Sequence, residues 1–187
     1  MVSRMARRHR HRLLVLPLVL AWGTAAAPIL GQAAPPTNAA PPDLVVLPIR
    51  LLDTSGEPED QSAAHAARLA VMARDLVERL GSDGRMSATG LSADALAGAC
   101  PDTDAGCILS QARRTGAPLA FVGVVHKSST LIMQMFAWVV DTASGETRVS
   151  RELNFRGDTD ESWQRMTAFL AREIGAAERG TTGRTKN

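Results

Sequence analysis

The fold is decided by the stretch from residue 119 to residue 156, which reads LAFVGVVHKSSTLIMQMFAWVVDTASGETRVSRELNFR. It contains two long apolar runs, residues 119–125 and 131–141, of the kind that form buried strands. Polar residues alternate through residues 146–156, which indicates a third strand with one exposed face. Turn-forming residues at 142–145 join the last two strands. The sequence therefore predicts an antiparallel meander.

The residues before the meander alternate between strand and helix. Residues 44–53 are apolar on both faces, as in a central strand, and Pro48 indicates a bulge or an unpaired side there because proline has no N–H to donate. An apolar stripe at helical spacing predicts a helix over residues 62–80. Two shorter helices are predicted over residues 92–97 and 105–115.

The order of these elements determines the class of fold. Residues 85–88 could add a short edge strand, and a last helix with an apolar face is predicted over residues 158–177. A helix between the first strand and the meander favours a partly parallel sheet. We therefore expect one small α/β domain, with a mixed β-sheet of about four to five strands packed by about three helices.

The composition divides the chain into four parts. Residues 1–33 hold five arginines followed by an apolar run too short to span a bilayer, which predicts a cleaved secretory signal peptide; an uncleaved membrane anchor is the alternative. Residues 34–42 are rich in proline and alanine and predict an extended linker. The domain is expected over residues 43–177. Residues 178–187 have no apolar anchors and predict a disordered tail.

The predicted signal peptide explains the basic character of the whole chain. Lysine and arginine number 21 against 19 acidic residues, a formal charge of +2. Without residues 1–33, 16 basic residues stand against 19 acidic ones, a formal charge of −3. No basic stripe remains to bind phosphates. We expect a periplasmic location, no nucleic-acid partner, and contact with the membrane only through the signal peptide during export.

Cys100 and Cys107 are the only cysteines, and an isolated pair at this spacing in an oxidising compartment predicts a disulfide. A redox-active pair is the alternative because Cys107 lies near a predicted helix start, although the two-residue spacing of thioredoxin-like motifs is absent. Asp102 and Asp104 lie between the cysteines and could offer oxygen ligands to a cation. Acidic residues at a helix start are, however, expected from capping alone.

The octapeptide RGDTDESW at residues 156–163 carries the other candidate site residues. Asp158 and Glu161 are spaced as in a capping box, and Asp160 adds favourable charge to the first turn of a helix. A cation site is the alternative for these carboxylates, but the full set of spaced ligands is missing. The expected surface or helix-cap motif consists of Arg156, Asp158, Asp160, Glu161 and Trp163.

The sequence offers no complete catalytic constellation. The segment His126-Lys127-Ser128-Ser129 could suggest a Ser–His pair, but no nucleophile elbow is present and we expect a solvated hairpin turn there. His65 is expected on the polar side of the first helix. Neither a glycine-rich phosphate loop nor a metal-binding histidine pair occurs, so we expect no cofactor, no metal and no enzyme activity.

Three stretches of the chain are informative in combination. They are LLDT at residues 51–54, the Cys100…Cys107 loop that leads through Gly116-Ala117 to FVGV at residues 121–124, and the octapeptide at residues 156–163. Together they resemble a family of exported Gram-negative proteins catalogued only as a domain of unknown function, over about residues 43–175. That family has no established activity, so the resemblance implies no catalytic residues. More loosely, the domain is similar to the N-terminal α/β domain of TolB and to CsgG-related domains, and this likeness implies contacts with other envelope proteins.

Three hypotheses about function remain. The first is a non-catalytic accessory or interaction module of the cell envelope, whose partner is another envelope or periplasmic protein. The second is a small-ligand-binding periplasmic protein. The third is an enzyme that uses Asp158, Asp160 or Glu161 as general acid or base. The residues that could line a ligand pocket, but whose spacing is typical of a core, are Met133, Met135, Trp138, Trp163 and Met166.

Overall fold

The computed structural model describes residues 40–82 and 86–184, and in the last helix the side chains as far as Glu178. The described residues belong to one compact unit, Ala39–Asn187. The predicted signal peptide, residues 1–33, lies outside the described residues, as do residues 34–39 of the predicted linker.

The described residues form six strands and four helices. In chain order these are β1 (Leu44–Val46), β2 (Arg50–Asp53), α1 (Ser62–Gly81), β3 (Ala88–Gly90), α2 (Ala93–Ala99), α3 (Ala105–Arg114), β4 (Leu119–Ser129), β5 (Ile132–Asp141), β6 (Thr147–Phe155) and α4 (Asp160–Arg184).

The strands form one mixed sheet in the order β3-β1-β4-β5-β6, and β2 pairs with β4 beyond the end of β1. β1 is parallel to both β3 and β4, whereas β4, β5 and β6 pair antiparallel in succession. The predicted α/β class, mixed sheet and antiparallel meander are confirmed. The described residues form one strand and one helix more than the predicted numbers.

The extra strand arises because the predicted first strand is interrupted near Pro48. Leu44 pairs with Leu119, but Arg50 pairs with Val124, so the first strand has one residue more than β4 between these two pairs. A bulge of one residue at a proline, which cannot donate to the ladder, accounts for the interruption.

The helices cover the two faces of the sheet unequally. α1 and α4 pack against each other and share one face with a core that includes Phe121 and Met135. α3 lies on the opposite face, where Ala112 belongs to a smaller cluster with Val45 and Ala120 at one end of the sheet. No described element covers the remainder of that second face.

The last part of β4 differs from the prediction. The strand continues to Ser129, and His126 and Lys127 pair with Gln134 and Met133 of β5. The prediction of a solvated turn at residues 126–129 is therefore wrong. The ladder of a long antiparallel hairpin keeps these residues in register, and the alternation along the strand turns Lys127 toward the core.

α4 is longer than the sequence predicts. It continues past residue 177 and through residues 178–184, where a disordered tail is predicted. No proline interrupts this segment, but residues 180–183 are Gly-Thr-Thr-Gly, so the extension runs against the local helix propensity. Among the helices of the described residues, none is long and apolar enough to cross a bilayer.

Cys100 and Cys107 form a disulfide, as predicted. The bond joins the C-terminus of α2 to the beginning of α3, across Cα atoms 5.8 Å apart. Closing so short a loop stabilises the fold by about 2–3 kcal/mol in the chain-entropy account. Asp104 caps α3, since its side chain accepts the N–H of Cys107 at 2.8 Å, whereas Asp102 is exposed.

Candidate functional site

A lysine is fully buried near the end of β4. The alternation of the strand places Lys127 on the face that packs against α1 and α4, and its side chain is 1 % exposed. Its Nζ donates to Glu57 Oε2 at 2.8 Å and to Gln61 Oε1 at 3.1 Å, and lies 3.0 Å from Asp158 Oδ2. These three oxygens match the three N–H donors of an ammonium group, which is tolerated in an interior only when it is paired in this way.

The carboxylate of Asp158 is the second centre of the cluster. Its Oδ2 also accepts from Nε2 of His65 at 2.7 Å. Its Oδ1 accepts from Nη1 of Arg68 at 2.8 Å and from Nε1 of Trp163 at 2.9 Å. Because an ionised carboxylate can only accept, Nε2 of His65 carries a proton. The seven residues that form this buried ion network are Glu57, Gln61, His65, Arg68, Lys127, Asp158 and Trp163.

The buried ion network connects four parts of the chain. Glu57 belongs to the loop before α1, and its Oε1 accepts the hydroxyl of Thr130 and, at 2.8 Å, the N–H of the same residue. The carbonyl of Thr130 in turn accepts the N–H of Asp158 at 2.9 Å. His65 and Arg68 lie on α1. The loop before α1, α1 itself, the β4–β5 hairpin and the segment entering α4 are therefore held together by charged groups.

The hydrogen bonds of the network keep its charges in place. Burial by itself raises the pKa of Asp158, but hydrogen bonds from His65, Lys127 and Trp163 outweigh it and lower the pKa to about 2. Hydrogen bonds from Lys127 and Thr130 lower the pKa of Glu57 to about 2. Burial lowers the pKa of Lys127, yet its bonds to the two carboxylates more than compensate and raise it. Both carboxylates and the lysine are thus charged at neutral pH.

The octapeptide at residues 156–163 is arranged differently from the prediction. The N–H of Ser162 donates to Oγ1 of Thr159 at 3.3 Å, so Thr159 caps α4. The predicted capping box of Asp158 and Glu161 is therefore wrong. The reason is that Asp158 is turned into the interior, where four donors bind its carboxylate, and α4 begins only after it.

The other predicted residues of the octapeptide divide between interior and surface. Trp163 is buried, with its indole N–H donated to the network. Asp160 is 76 % exposed and accepts from Nε of Arg68 at 2.7 Å. Glu161 and Arg156 are both exposed. The structure thus brings only Asp158, Trp163 and, at the rim, Asp160 together.

Sequence reasoning missed most of the buried ion network. The prediction that His65 lies on the polar side of α1 is wrong, because the residue is 3 % exposed. A signal was present: His65 precedes Met72 by two helical turns, so it lies on the same buried stripe. Lys127 likewise shares the parity of Phe121 and Val125, which would place it on the core face of β4.

The charged groups of the network are occupied by one another. Its carboxylates are ionised and occupied by donors, so neither can give a proton as a general acid near neutral pH. No cysteine, serine or threonine of the described residues is paired with His65, whose Nε2 is bound to Asp158. Within residues 40–82 and 86–184 there is no group of three or more potential metal ligands.

A groove runs along the surface between α1 and α4. Its volume is about 290 Å³, and it lies beside the network because Arg68, Asp160 and Trp163 are in its wall. Ala67 and Gln164 form part of its exposed sides. The methionines named above do not line it: they are buried in the core, as their spacing predicts.

The second face of the sheet presents apolar side chains that no described element covers. Phe136 and Trp138 lie two residues apart on β5, with ring centroids 6.3 Å apart, and both are half-buried. Val124 of β4 lies beside Phe136, while Leu52 and Ile132 are 52 % and 58 % exposed. These five residues, Leu52, Val124, Ile132, Phe136 and Trp138, are named the open sheet face.

Fold and sites together define a small disulfide-bonded α/β domain with an internal ion network and an uncovered apolar sheet face. The family described as protein of unknown function (DUF2380), under the model name DUF3280, matches residues 42–174, and the chain belongs to this family. The resemblance to a family of unknown function is thereby confirmed. No curated protein matches the chain.

Several solved structures are similar to this chain. The PelC dodecamer from Paraburkholderia phytofirmans is 14 % identical, with 74 % of this chain and 88 % of that chain covered and a TM-score of 0.44. TolB from Acinetobacter baumannii is 15 % identical, with 72 % and 28 % covered and a TM-score of 0.41. The C-terminal domain of LpoB from Salmonella enterica is 8 % identical, with 63 % and 85 % covered and a TM-score of 0.38.

Replacing Asp158 by asparagine tests how much the buried ion network stabilises the fold. Asp158→Asn removes one of the two carboxylates bound to Lys127 and one of the two bound to Arg68, so we expect the free energy of unfolding to fall by roughly 3 kcal/mol. Asp160→Asn is the matched control, because it removes an exposed partner of the same Arg68 and should cost less than about 1 kcal/mol. Chemical unfolding measures both values. Equal losses in the two variants would contradict a stabilising network.

Acid should weaken the fold through the same carboxylate. The unfolded chain titrates Asp158 near its ordinary value of 3.8, whereas the folded protein does so at about 2. As the pH falls through this window the unfolded state binds more protons, so stability present above pH 4 is lost, by roughly 2 kcal/mol for this residue. Unfolding curves between pH 5 and pH 2 should show a shallower decline for Asp158→Asn; identical slopes would refute the assignment.

Proposed function

We propose that the protein is a non-catalytic interaction module of the cell envelope, located in the periplasm, that binds another protein through the open sheet face. The observation that carries this proposal is the uncovered cluster of Phe136 and Trp138 on a sheet whose other face is fully packed. A soluble monomer rarely leaves a contiguous apolar patch in water, and such patches mark interaction sites.

The composition of the open sheet face supports a protein as the partner. Aromatic residues are enriched at the centres of protein interfaces, where large rings give much contact area at a small cost in side-chain entropy. Phe136 and Trp138 provide such a centre together with Val124. Gln134, which is bonded to His126 at 3.2 Å, separates Ile132 from it. A catalytic cleft would instead gather polar groups around a concave pocket.

The buried ion network supports the absence of catalysis in this proposal. Asp158 is the only buried carboxylate of the three that could serve as general acid or base, yet His65, Arg68, Lys127 and Trp163 all donate to it. Every lone pair that a substrate would need is directed at a residue of the protein. Asp160 and Glu161 are exposed and each is bound to an arginine.

The disulfide and the start of the sequence both support the proposed periplasmic location. The disulfide between Cys100 and Cys107 requires an oxidising compartment to persist. The arginine-rich start of the chain followed by an apolar run fits an export signal, and the proline-rich residues 34–42 fit a spacer between that signal and the domain.

Replacing either aromatic residue of the open sheet face should strongly reduce partner binding. Phe136→Ser and Trp138→Ser each remove apolar contact area at the centre of the patch, so we expect at least a tenfold lower recovery of the partner, or about 1.4 kcal/mol of binding free energy. The measurement is chemical cross-linking in the native periplasm, followed by purification and mass spectrometry.

Leu131→Ser is the matched control for this experiment. Leu131 is 68 % exposed at the β4–β5 turn but lies outside the open sheet face, so the substitution should leave recovery unchanged. Recovery of the wild-type protein without any stoichiometric partner would refute the proposed function, and equal losses in all three variants would refute the assigned surface.

A small-ligand-binding protein is the second candidate, favoured by the groove between α1 and α4. The groove is large enough for a compact metabolite and combines the apolar wall of Val71 and Trp163 with polar groups such as Asp75 and Gln164. The groove is open to water, since Ala64 and Ala67 of α1 and Gln164 of α4 are exposed, whereas most of a ligand's surface is buried in a typical binding site.

Filling the groove distinguishes the second candidate from the first. Ala67→Trp places a bulky ring in the groove, whereas Ala66→Trp adds the same ring at the neighbouring exposed position. If the groove holds a ligand, native mass spectrometry should detect a bound small molecule in the wild type and in Ala66→Trp, but not in Ala67→Trp. If all three proteins show only the mass of the polypeptide, the groove holds no ligand and the ligand-binding function is ruled out.

A further inference from the structure

One row of paired residues crosses the open sheet face from edge to edge. Arg50 of β2 pairs with Val124 of β4, which pairs with Phe136 of β5, which pairs with Glu152 of β6. Paired residues of adjacent strands project from the same face of a sheet. The row therefore has an apolar centre with a positive charge at one edge and a negative charge at the other.

Neither of the two edge charges is neutralised within the domain. Arg50 and Glu152 are exposed, and among the described residues neither forms an ion pair. Arg148, near the other end of β6, is by contrast paired, with Asp141 at 2.7 Å. The apolar centre of the row thus lies between two unpaired charges of opposite sign. A complementary surface would carry a negative charge opposite Arg50 and a positive charge opposite Glu152.

The need to satisfy backbone hydrogen bonds limits which secondary structure a partner segment can have on the open sheet face. All inner strands of the sheet already have neighbours on both sides, so an extended segment lying on the face could not pair its N–H and C=O groups and would bury them unsatisfied. A helix satisfies these groups internally. A second sheet would also do so, but α3 projects from the same face over Val45 and Ala120 and would obstruct it.

The dimensions of the uncovered region agree with one helix. The three strands β4, β5 and β6 span about 10 Å at the usual separation of strands, which is one helix diameter. Along β5, the region from Ile132 through the polar Gln134 to Trp138 extends for about 20 Å, the length of roughly 13 helical residues. A helix in this position would lie beside α3 and complete the second layer of the α/β domain.

We infer that the open sheet face receives an amphipathic helix of about 13 residues from a partner protein, with acidic residues on the flank toward Arg50 and basic residues on the flank toward Glu152. This inference rests on the proposed function, and it adds the kind of segment that binds and its orientation.

Site-specific photo-cross-linking combined with charge reversal tests the inference. Benzoylphenylalanine is introduced at residue 136, on the open sheet face, or at residue 164, in the groove, of the full-length protein in its native host. The cross-linked peptide from residue 136 should map to a helix with apolar residues at helical spacing. Arg50→Glu and Glu152→Arg should each reduce the cross-linked fraction about tenfold. The controls Arg165→Glu and Glu161→Arg alter exposed charges on α4 and should reduce it less than twofold.

The double variant Arg50→Glu, Glu152→Arg is decisive because it keeps the net charge of the wild type. If the pattern of flanking charges matters, the double variant cross-links at least about tenfold less than the wild type; wild-type cross-linking would show that only net charge matters and would overturn the inference. A cross-link from residue 136 to an extended segment or a second copy of the chain would also overturn it, while leaving the proposed interaction function intact. The absence of any partner from both positions would refute the proposed function as well.

Discussion

The contact between the ammonium group of Lys127 and the carboxylate of Asp158 is the constraint on which the rest of the structure depends. Removing two charges from water costs several kcal/mol per ion unless each finds partners. The partners come from segments far apart in sequence: His65 and Asp158 are separated by 93 residues, and Lys127 and Glu57 by 70. The packing of α1 beside α4 and the closing of the loop before α1 are therefore conditions for burying the pair.

The same constraint explains why the two faces of the sheet differ. One face holds the larger core, where Lys127 and Asp158 are buried as a pair, so moving α1 and α4 off this face would expose both ions. The other face carries only α3, at one end, and keeps its aromatic rings accessible. Rigidity on one side and accessibility on the other suit a scaffold that presents a preformed surface, since little ordering is then required on binding.

Sequence reasoning recovered what depends on local pattern and failed where a residue's partner lies far along the chain. The meander follows from two apolar runs, one alternating segment and the turn residues between the last two strands. The parallel first strand follows from the helix after it, its interruption from the missing N–H of Pro48, and the disulfide from the cysteine count. The interior position of Lys127 could be predicted only by extending β4 through residues 126–129, which resemble a polar turn. The role of Asp158 required knowledge of three-dimensional neighbours, because the same carboxylate in isolation is typical of a helix cap.

The separation in sequence of the network's members has a consequence for the order of folding. Contacts between distant segments require the closure of long loops, which is entropically costly and slow. A chain that has formed the β4–β5 hairpin but has not yet docked α1 and α4 keeps Lys127 in water, because an unpaired ammonium is not stable against apolar side chains. We therefore expect the lysine to oppose premature collapse around the hairpin, so that the hydrophobic core closes over this end of β4 only after α1 and α4 have docked.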